Sequence, residues 1–330
     1  MLRKNRIVLI SIFSKYRTWN LPNEIVKKLS NEFPEFKFIQ TKNKSEFLKY
    51  IPKTEILLSF RFSAKDFLIA KKLKWVHFGG AGVGRIIFEQ LLQSDVIITK
   101  SAGINAEVVA EMAWSFILAL AKMLPAWLEN KNKGDILSDR INFFNTKSLF
   151  DKTLGIIGLG NIGRNIARIG KVFGMKIIGT RRKFNKPLEN VDEIFSSDNI
   201  YEVLKQSDFL VIAVPITPAT DRMIGEKEFE LMKDGIFLVN ISRGKIIKED
   251  LLIKYLKSGK VAGAGLDVIE NEPIAPDNEL YKLPNVILTP HIAGFHDQYW
   301  ERLYEMLRAN FKRYLNDEEL TNQINKQFRY

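Results

Sequence analysis

The chain alternates between two hydrophobic periods almost from its start. Short apolar runs at Ile7–Ile12, Phe36–Ile39, Glu55–Leu58, Lys74–Phe78 and Val96–Thr99 read as buried strands. Between them, at about Pro22–Ser30, Lys44–Tyr50 and Ala64–Ala70, the pattern turns helical. Such alternation predicts a parallel sheet with helices on both faces. The segment at about Ala106–Trp127 is apolar nearly all round and predicts one long helix, buried on more than one side. A polar stretch, Glu129–Thr146, separates it from a second strand–helix alternation. The strands expected there are Thr153–Ile157, Lys176–Gly179, Phe209–Val214, Ile236–Asn240, Gly263–Asp267 and Asn285–Leu288. A helix at about Asp297–Leu315 and a charged tail close the pattern.

Two alternations imply two α/β domains. A length of 330 residues agrees, since a single core rarely grows that large. With 46% hydrophobic and 27% charged residues, the composition is that of a soluble globular protein. The start, MLRKNRIVLISIFSKYR, imitates a signal peptide, but the apolar run is short, carries two serines and lacks a small-residue cleavage site. It reads better as a first strand. Val108–Leu124 is broken by Glu111 and Lys122, so no membrane span is expected. Cysteine is absent, which removes disulfides, thiolate nucleophiles and cysteine-bound zinc. No metal is expected, and a reducing, cytoplasmic setting fits. The net charge of +12 would suit an anionic partner. The lysines are scattered, however, and no helix–turn–helix, zinc-finger or RNA-binding signature accompanies them. A solvated surface is expected, with no nucleic-acid partner.

Chemistry first shows at Thr153–Gly163, TLGIIGLGNIG. A strand runs into Gly158-x-Gly160-x-x-Gly163, with Asn161 and Ile162 inside the loop, and a helical pattern follows. Gly158 permits a tight turn, Gly160 lets the backbone approach a pyrophosphate, and Gly163 lets helix and strand pack closely. The helix N-terminus offers unpaired N–H groups and a positive dipole end to the phosphates. A dinucleotide site is expected here. An acid at the end of the next strand would bond the 2′-hydroxyl of NAD. The strand instead ends Thr180-Arg181-Arg182-Lys183. Thr180 can offer a hydroxyl, and the guanidinium forks of Arg181 and Arg182 suit a 2′-phosphate. NADP is therefore expected in preference to NAD, with NAD as the second possibility.

Three further segments, LVNISRG (Leu238–Gly244), GAGLDVIENEP (Gly263–Pro273) and LTPHIAG (Leu288–Gly294), follow GLGNIG in order. Together they make the chain resemble the D-isomer-specific 2-hydroxyacid dehydrogenases over nearly its whole length. The resemblance implies hydride exchange between NAD(P)H and a small 2-keto acid, giving a D-2-hydroxy acid. It puts the family's catalytic arginine on Arg243, its glutamate on Glu272 and its histidine on His291. Those types suit the chemistry. An imidazolium can protonate the developing alkoxide, a carboxylate can orient it, and an arginine can polarise the ketone and hold a carboxylate. Asp267 resembles the residue that contacts the nicotinamide carboxamide. Thr220, in VPITPAT, falls near the cofactor phosphates, and Val214, Pro215 and Ser242 join the cofactor set. FGGAGVG (Phe78–Gly84) resembles the loop whose N–H groups bind the substrate carboxylate, placing Ala81 and Gly82 there, although many members have Asp where Gly84 stands.

The fold implied is α/β, with two doubly wound parallel-sheet domains. Residues 1–100 plus 292–330 would form a flavodoxin-like substrate domain and residues 101–291 a Rossmann domain, with a cleft between them and hinges near 101 and 291. The helix at about 106–127 resembles the family's dimerisation element, so a homodimer is expected. Side-chain specificity is expected from residues around Arg61, Phe78 and Phe295–Trp300. Formate dehydrogenases, expected to carry Gln at position 272, are set aside. A D-3-phosphoglycerate dehydrogenase is the alternative within enzymes, and a non-catalytic nucleotide-sensing corepressor the alternative from another class.

Overall fold

The structure, a computed structural model, describes residues 6–13, 20–80, 82–83, 86–134, 146–182 and 186–327. The chain divides into two compact units, one from Met1–Ile104 with His296–Tyr330, the other from Asn105–Phe295.

In the first unit five parallel strands, β1 (Arg6–Ser11), β2 (Phe36–Gln40), β3 (Thr54–Ser59), β4 (Trp75–Phe78) and β5 (Ile97–Lys100), lie in the order β2-β1-β3-β4-β5. This is the flavodoxin-like order. Side chains alternate between two cores, as a strand buried on both faces requires. Val8, Ile10, Ile56 and Leu58 go to one face, while Leu9 and Leu57 go to the other. The connecting helices are α1 (Asn23–Glu32), α2 (Lys44–Tyr50), α3 (Ala64–Ile69) and α4 (Glu89–Leu92). Ser63 and Asp66 close a reciprocal cap on α3.

The second unit begins with α5 (Ala106–Ala121) and α6 (Leu124–Asn132). Seven parallel strands follow: β6 (Thr153–Ile157), β7 (Lys176–Arg181), β8 (Glu193–Ser196), β9 (Phe209–Ile212), β10 (Ile236–Asn240), β11 (Val261–Leu266) and β12 (Val286–Leu288). Their order is β12-β11-β10-β9-β6-β7-β8. The direction in which strands are added reverses between β6 and β9, the doubly wound Rossmann pattern extended by one strand. Helices α7 (Asn161–Val172), α8 (Tyr201–Gln206), α9 (Glu226–Leu231) and α10 (Glu249–Lys257) connect them. On one face α5 buries Trp114, Phe116, Ile117 and Leu120. Gly265 lets it sit close, since a Cβ there would lie 2.5 Å from Phe116. The closing helix α11 (Tyr299–Leu315) returns to the first unit and packs Leu303, Leu307 and Phe311 against β1–β4.

The single helix expected over 106–127 is two. It stops at Ala121, Met123 turns left-handed at φ 55°, and α6 leaves at 65° to α5. Pro125 accounts for the break, since its ring would clash with the carbonyl four residues back and supplies no N–H for the ladder. Among the described residues no single helix is long and apolar enough to cross a membrane. Strand β8, EIFS, was not expected either. It is short, and its four residues are all only half-buried at the sheet edge.

Candidate active site

All the candidate residues of the second unit sit at the carboxyl ends of its strands, where loops of a doubly wound sheet can bind ligands. After β6, Gly158 adopts φ 106°, and an added Cβ would meet Ala213 O at 2.8 Å and Val214 Cγ1 at 2.7 Å. This brings Val214 against the glycine turn. A Cβ on Gly163 would lie 2.2 Å from Gly158 O, so α7 starts almost in contact with the turn. A Cβ on Gly160 would meet nothing within 4 Å. That open side, at the N-terminus of a 12-residue helix, fits a pyrophosphate approaching the backbone. Gly160 and Asn161 open that helix, and Ile162 packs beneath it on the core.

The end of β7 is tied to the same turn. Thr180 is buried, its carbonyl accepts the Leu159 N–H at 2.8 Å, and its hydroxyl accepts the Gly158 N–H at 3.2 Å. That hydroxyl thus faces the turn and braces it. Arg181 ends the strand half-buried and Arg182 is exposed beyond it, while Lys183 lies outside the described residues. After β9, Thr220 closes its own loop. It donates to Pro215 O at 2.7 Å and accepts the Thr217 N–H at 2.8 Å.

Three loops then carry Arg243, Glu272 and His291 from β10, β11 and β12. Asn240 is buried and ties the first loop. Its Oδ1 accepts from the N–H and hydroxyl of Ser242, and its Nδ2 donates to Arg243 O. A Cβ on Gly244 would lie 1.8 Å from the backbone of Ile269, so the segment leading to Glu272 crosses directly over Arg243's neighbour. Glu272 precedes Pro273 through a cis peptide bond. His291 Nδ1 lies 2.7 Å from Glu272 Oε2, with both side chains partly exposed. Burial alone would push the Glu272 carboxyl up. The hydrogen bond and charge of His291, with Arg243 adding to them, outweigh this and hold it below its usual range.

Asp267 does more here than a strand-end acid need do. Its carboxylate accepts from the Thr289 hydroxyl (2.5 Å), the Ile292 N–H (2.8 Å) and the Ala293 N–H (2.9 Å). Its carbonyl takes the His291 N–H at 2.9 Å. Asp267 thereby holds the loop on which His291 stands at φ 57°. Neither this anchoring nor the Asn240 clamp was anticipated. Both link groups from different strands or across a turn, and sequence spacing carries no sign of them.

In the first unit the glycine loop follows β4, with Gly82 exposed and Ala81 and Gly84 outside the described residues. Phe78 is fully buried in the core of that unit, which leaves it no lining role.

Comparison with known proteins finds relatives along most of the chain. Residues 114–293 match the model of the D-isomer specific 2-hydroxyacid dehydrogenase NAD binding domain. The chain is 36% identical over 275 residues to a glyoxylate reductase of Thermococcus gammatolerans, covering 82% of each. It is 33% identical to a D-3-phosphoglycerate dehydrogenase of Methanocaldococcus jannaschii, spanning 90% of this chain but 57% of that one. Among solved structures, a D-isomer specific 2-hydroxyacid dehydrogenase family protein from Aeromonas salmonicida superposes with a TM-score of 0.83 at 28% identity, over 98% of this chain and 99% of the other. A dinucleotide turn, a paired imidazole and carboxylate on neighbouring strand ends, and likeness along most of the length converge on one conclusion: the chain belongs to the D-isomer specific 2-hydroxyacid dehydrogenase family.

Proposed function

We propose that this NAD(P)-dependent D-2-hydroxyacid dehydrogenase is an NADPH-preferring reductase of glyoxylate, hydroxypyruvate or similar small 2-keto acids. The observation that carries the reading is the 2.7 Å contact between His291 Nδ1 and Glu272 Oε2. With Nδ1 donating to the carboxylate, Nε2 is the nitrogen that faces the substrate oxygen. In reduction Nε2–H gives its proton to the oxygen that becomes the hydroxyl, and in oxidation neutral His291 takes it back. Glu272 orients the ring. Arg243 polarises the ketone and grips the substrate carboxylate. Backbone N–H groups of Ala81 and Gly82 give that carboxylate its second hold.

When bound, the reduced nicotinamide supplies the hydride. Gly158, Gly160, Asn161, Ile162 and Gly163 would hold the pyrophosphate. Val214, Pro215, Thr220, Ser242 and Asp267 would line the rest of the dinucleotide. The end of β7 supports NADPH over NADH, because it carries two arginines and no acid. The protein would act in the cytoplasm as a homodimer.

The test is oxidation of NADPH, and separately NADH, with glyoxylate, hydroxypyruvate, pyruvate and phenylpyruvate, repeated with His291→Ala. The expected result is turnover favouring NADPH, falling by about a hundredfold or more in the variant. Cofactor binding without turnover of any keto acid would sink the reading. Turnover with NADH alone would sink the cofactor preference.

A further inference from the structure

The segment after β4 is held from two sides by side chains that take no part in the proton chemistry. From the helix side Tyr299, at the start of α11, donates its hydroxyl to the Gly79 carbonyl at 2.7 Å. From the sheet side runs a chain of buried hydrogen bonds. Trp75 Nε1 can only donate, and it does so to Thr99 Oγ1 at 2.8 Å. His77 continues the chain, with Nδ1 2.9 Å from Thr99 Oγ1 and Nε2 3.0 Å from Ser101 Oγ, one ring nitrogen donating and the other accepting. Ser101 in turn donates to the Phe78 carbonyl, through its hydroxyl at 3.4 Å and its backbone N–H at 3.0 Å. Burial pushes His77 down to about 3, which keeps the ring neutral, with one donor and one acceptor nitrogen. Trp75, His77, Thr99 and Ser101 are all buried.

These two holds bracket one stretch of backbone. Across a trans peptide the C=O and N–H point in opposite directions. With the Gly79 carbonyl tied to Tyr299, the Gly80 N–H of the same peptide points away from that helix. A Cβ on Gly79 would lie 2.6 Å from the Phe60 ring, whereas one on Gly80 would meet nothing within 4 Å. The backbone is therefore closed on the Phe60 side at Gly79 and open at Gly80. A backbone N–H held in a fixed direction on an open side is a ready donor to an anion.

We propose that Tyr299 is a positioning residue for the substrate. Its hydroxyl, opposed by the His77–Ser101 chain, sets the peptide planes of residues 78–80 and so aims the Gly80 N–H at the substrate carboxylate. The inference rests on the reading of this loop as the carboxylate's seat. Burial pushes the Tyr299 phenol up to about 12, so it remains a donor at every pH at which the enzyme would work.

Steady-state kinetics of the full-length protein test this, with NADPH saturating, glyoxylate varied, and Tyr299→Phe and Ser101→Ala compared with the unaltered chain. NADPH affinity by fluorescence and the melting temperature are read alongside. The expected result for each variant is a KM for glyoxylate raised roughly fivefold to tenfold, with kcat within about twofold and NADPH affinity unchanged. An unchanged KM in both variants overturns the assignment. So does a general loss in which kcat, NADPH affinity and melting temperature fall together, the mark of a merely structural role. If Tyr299→Phe does not fold, Ser101→Ala carries the same expectation from the opposite side. Active unaltered protein with indifferent variants sinks this inference alone. Unaltered protein that reduces no 2-keto acid sinks the carboxylate reading and this inference with it.

Discussion

Glu272 and His291 divide the proton chemistry between them, and the electrostatics of Glu272 say how. Its carboxyl stays below the usual 4.5 because the His291 contact outweighs the cost of burial. The native value is depressed, so what ionised Glu272 contributes is present above the unfolded value and lost only as pH falls through the native one. At neutral pH the carboxylate is charged and accepts from the His291 ring. Glu272→Gln keeps an acceptor for Nδ1–H but removes the charge. The acid limb of the pH profile for keto-acid reduction, along which the native carboxylate takes up its proton, should then disappear. Profiles of kcat/KM for the two proteins check this, and a persisting limb would separate Glu272 from the proton step. Arg181 and Arg182 make a different kind of claim, about recognition. Replacing either with Ala should raise the Kd for NADPH by about tenfold, the scale of one charge-assisted contact, and leave NADH nearly unaffected. Equal weakening of both cofactors would assign the arginines to general charge instead.

At the scale of elements, the strand ends decide where chemistry can sit, and glycine decides how close they come. Gly160 and Gly163 make opposite demands. A methyl at Gly163 runs into the Gly158 carbonyl, so Gly163→Ala should cost roughly 1–3 kcal/mol of stability and disrupt the turn. A methyl at Gly160 has room in the protein itself, so Gly160→Ala should leave the melting temperature unchanged while cofactor affinity falls. Thermal melts with and without NADPH separate the two, and a destabilised Gly160→Ala would show that its open side is not what the loop needs. The same scale shows what the sequence made legible. Strands buried on both faces announce themselves as continuous apolar runs, which is why β1, β6, β9 and β10 could be read directly. Edge strand β8 could not, being half-buried and short. The break between α5 and α6 was readable in principle from Pro125, but the apolar run masked it. The turn's glycines are likewise visible in one line of sequence. The Thr180 hydroxyl under Gly158 and the Asp267 carboxylate under the His291 loop are not, because each bond joins separate strands' ends and depends on tertiary register.

At the scale of the whole molecule, α6 is the element that the described chain leaves unexplained. Its nine residues bury no side chain in their own unit. A helix that short has little stability of its own in water and ordinarily owes its persistence to packing of an apolar face. Here Leu124 and Leu128 face outward, 47% and 59% exposed and one helical turn apart. They continue from α5, whose opposite side is sunk in the core of the second unit through Trp114, Phe116 and Ile117. A second copy of the chain, applying the same surface to itself, would cover both leucines by two-fold symmetry. A net charge of +12 opposes close approach of two copies, so the contact would rely on apolar area and tighten as salt screens the repulsion. Sedimentation at micromolar concentration should therefore report a dimer, and one strengthened by added salt. Leu124→Lys with Leu128→Lys should yield a monomer that still binds NADPH, because neither residue belongs to the strand-end loops. A dimer that survives the double substitution would move the interface elsewhere. A monomeric unaltered protein would leave α6 to be held by some other contact, and would remove the dimer from the proposed function while leaving the chemistry of Arg243, Glu272 and His291 untouched.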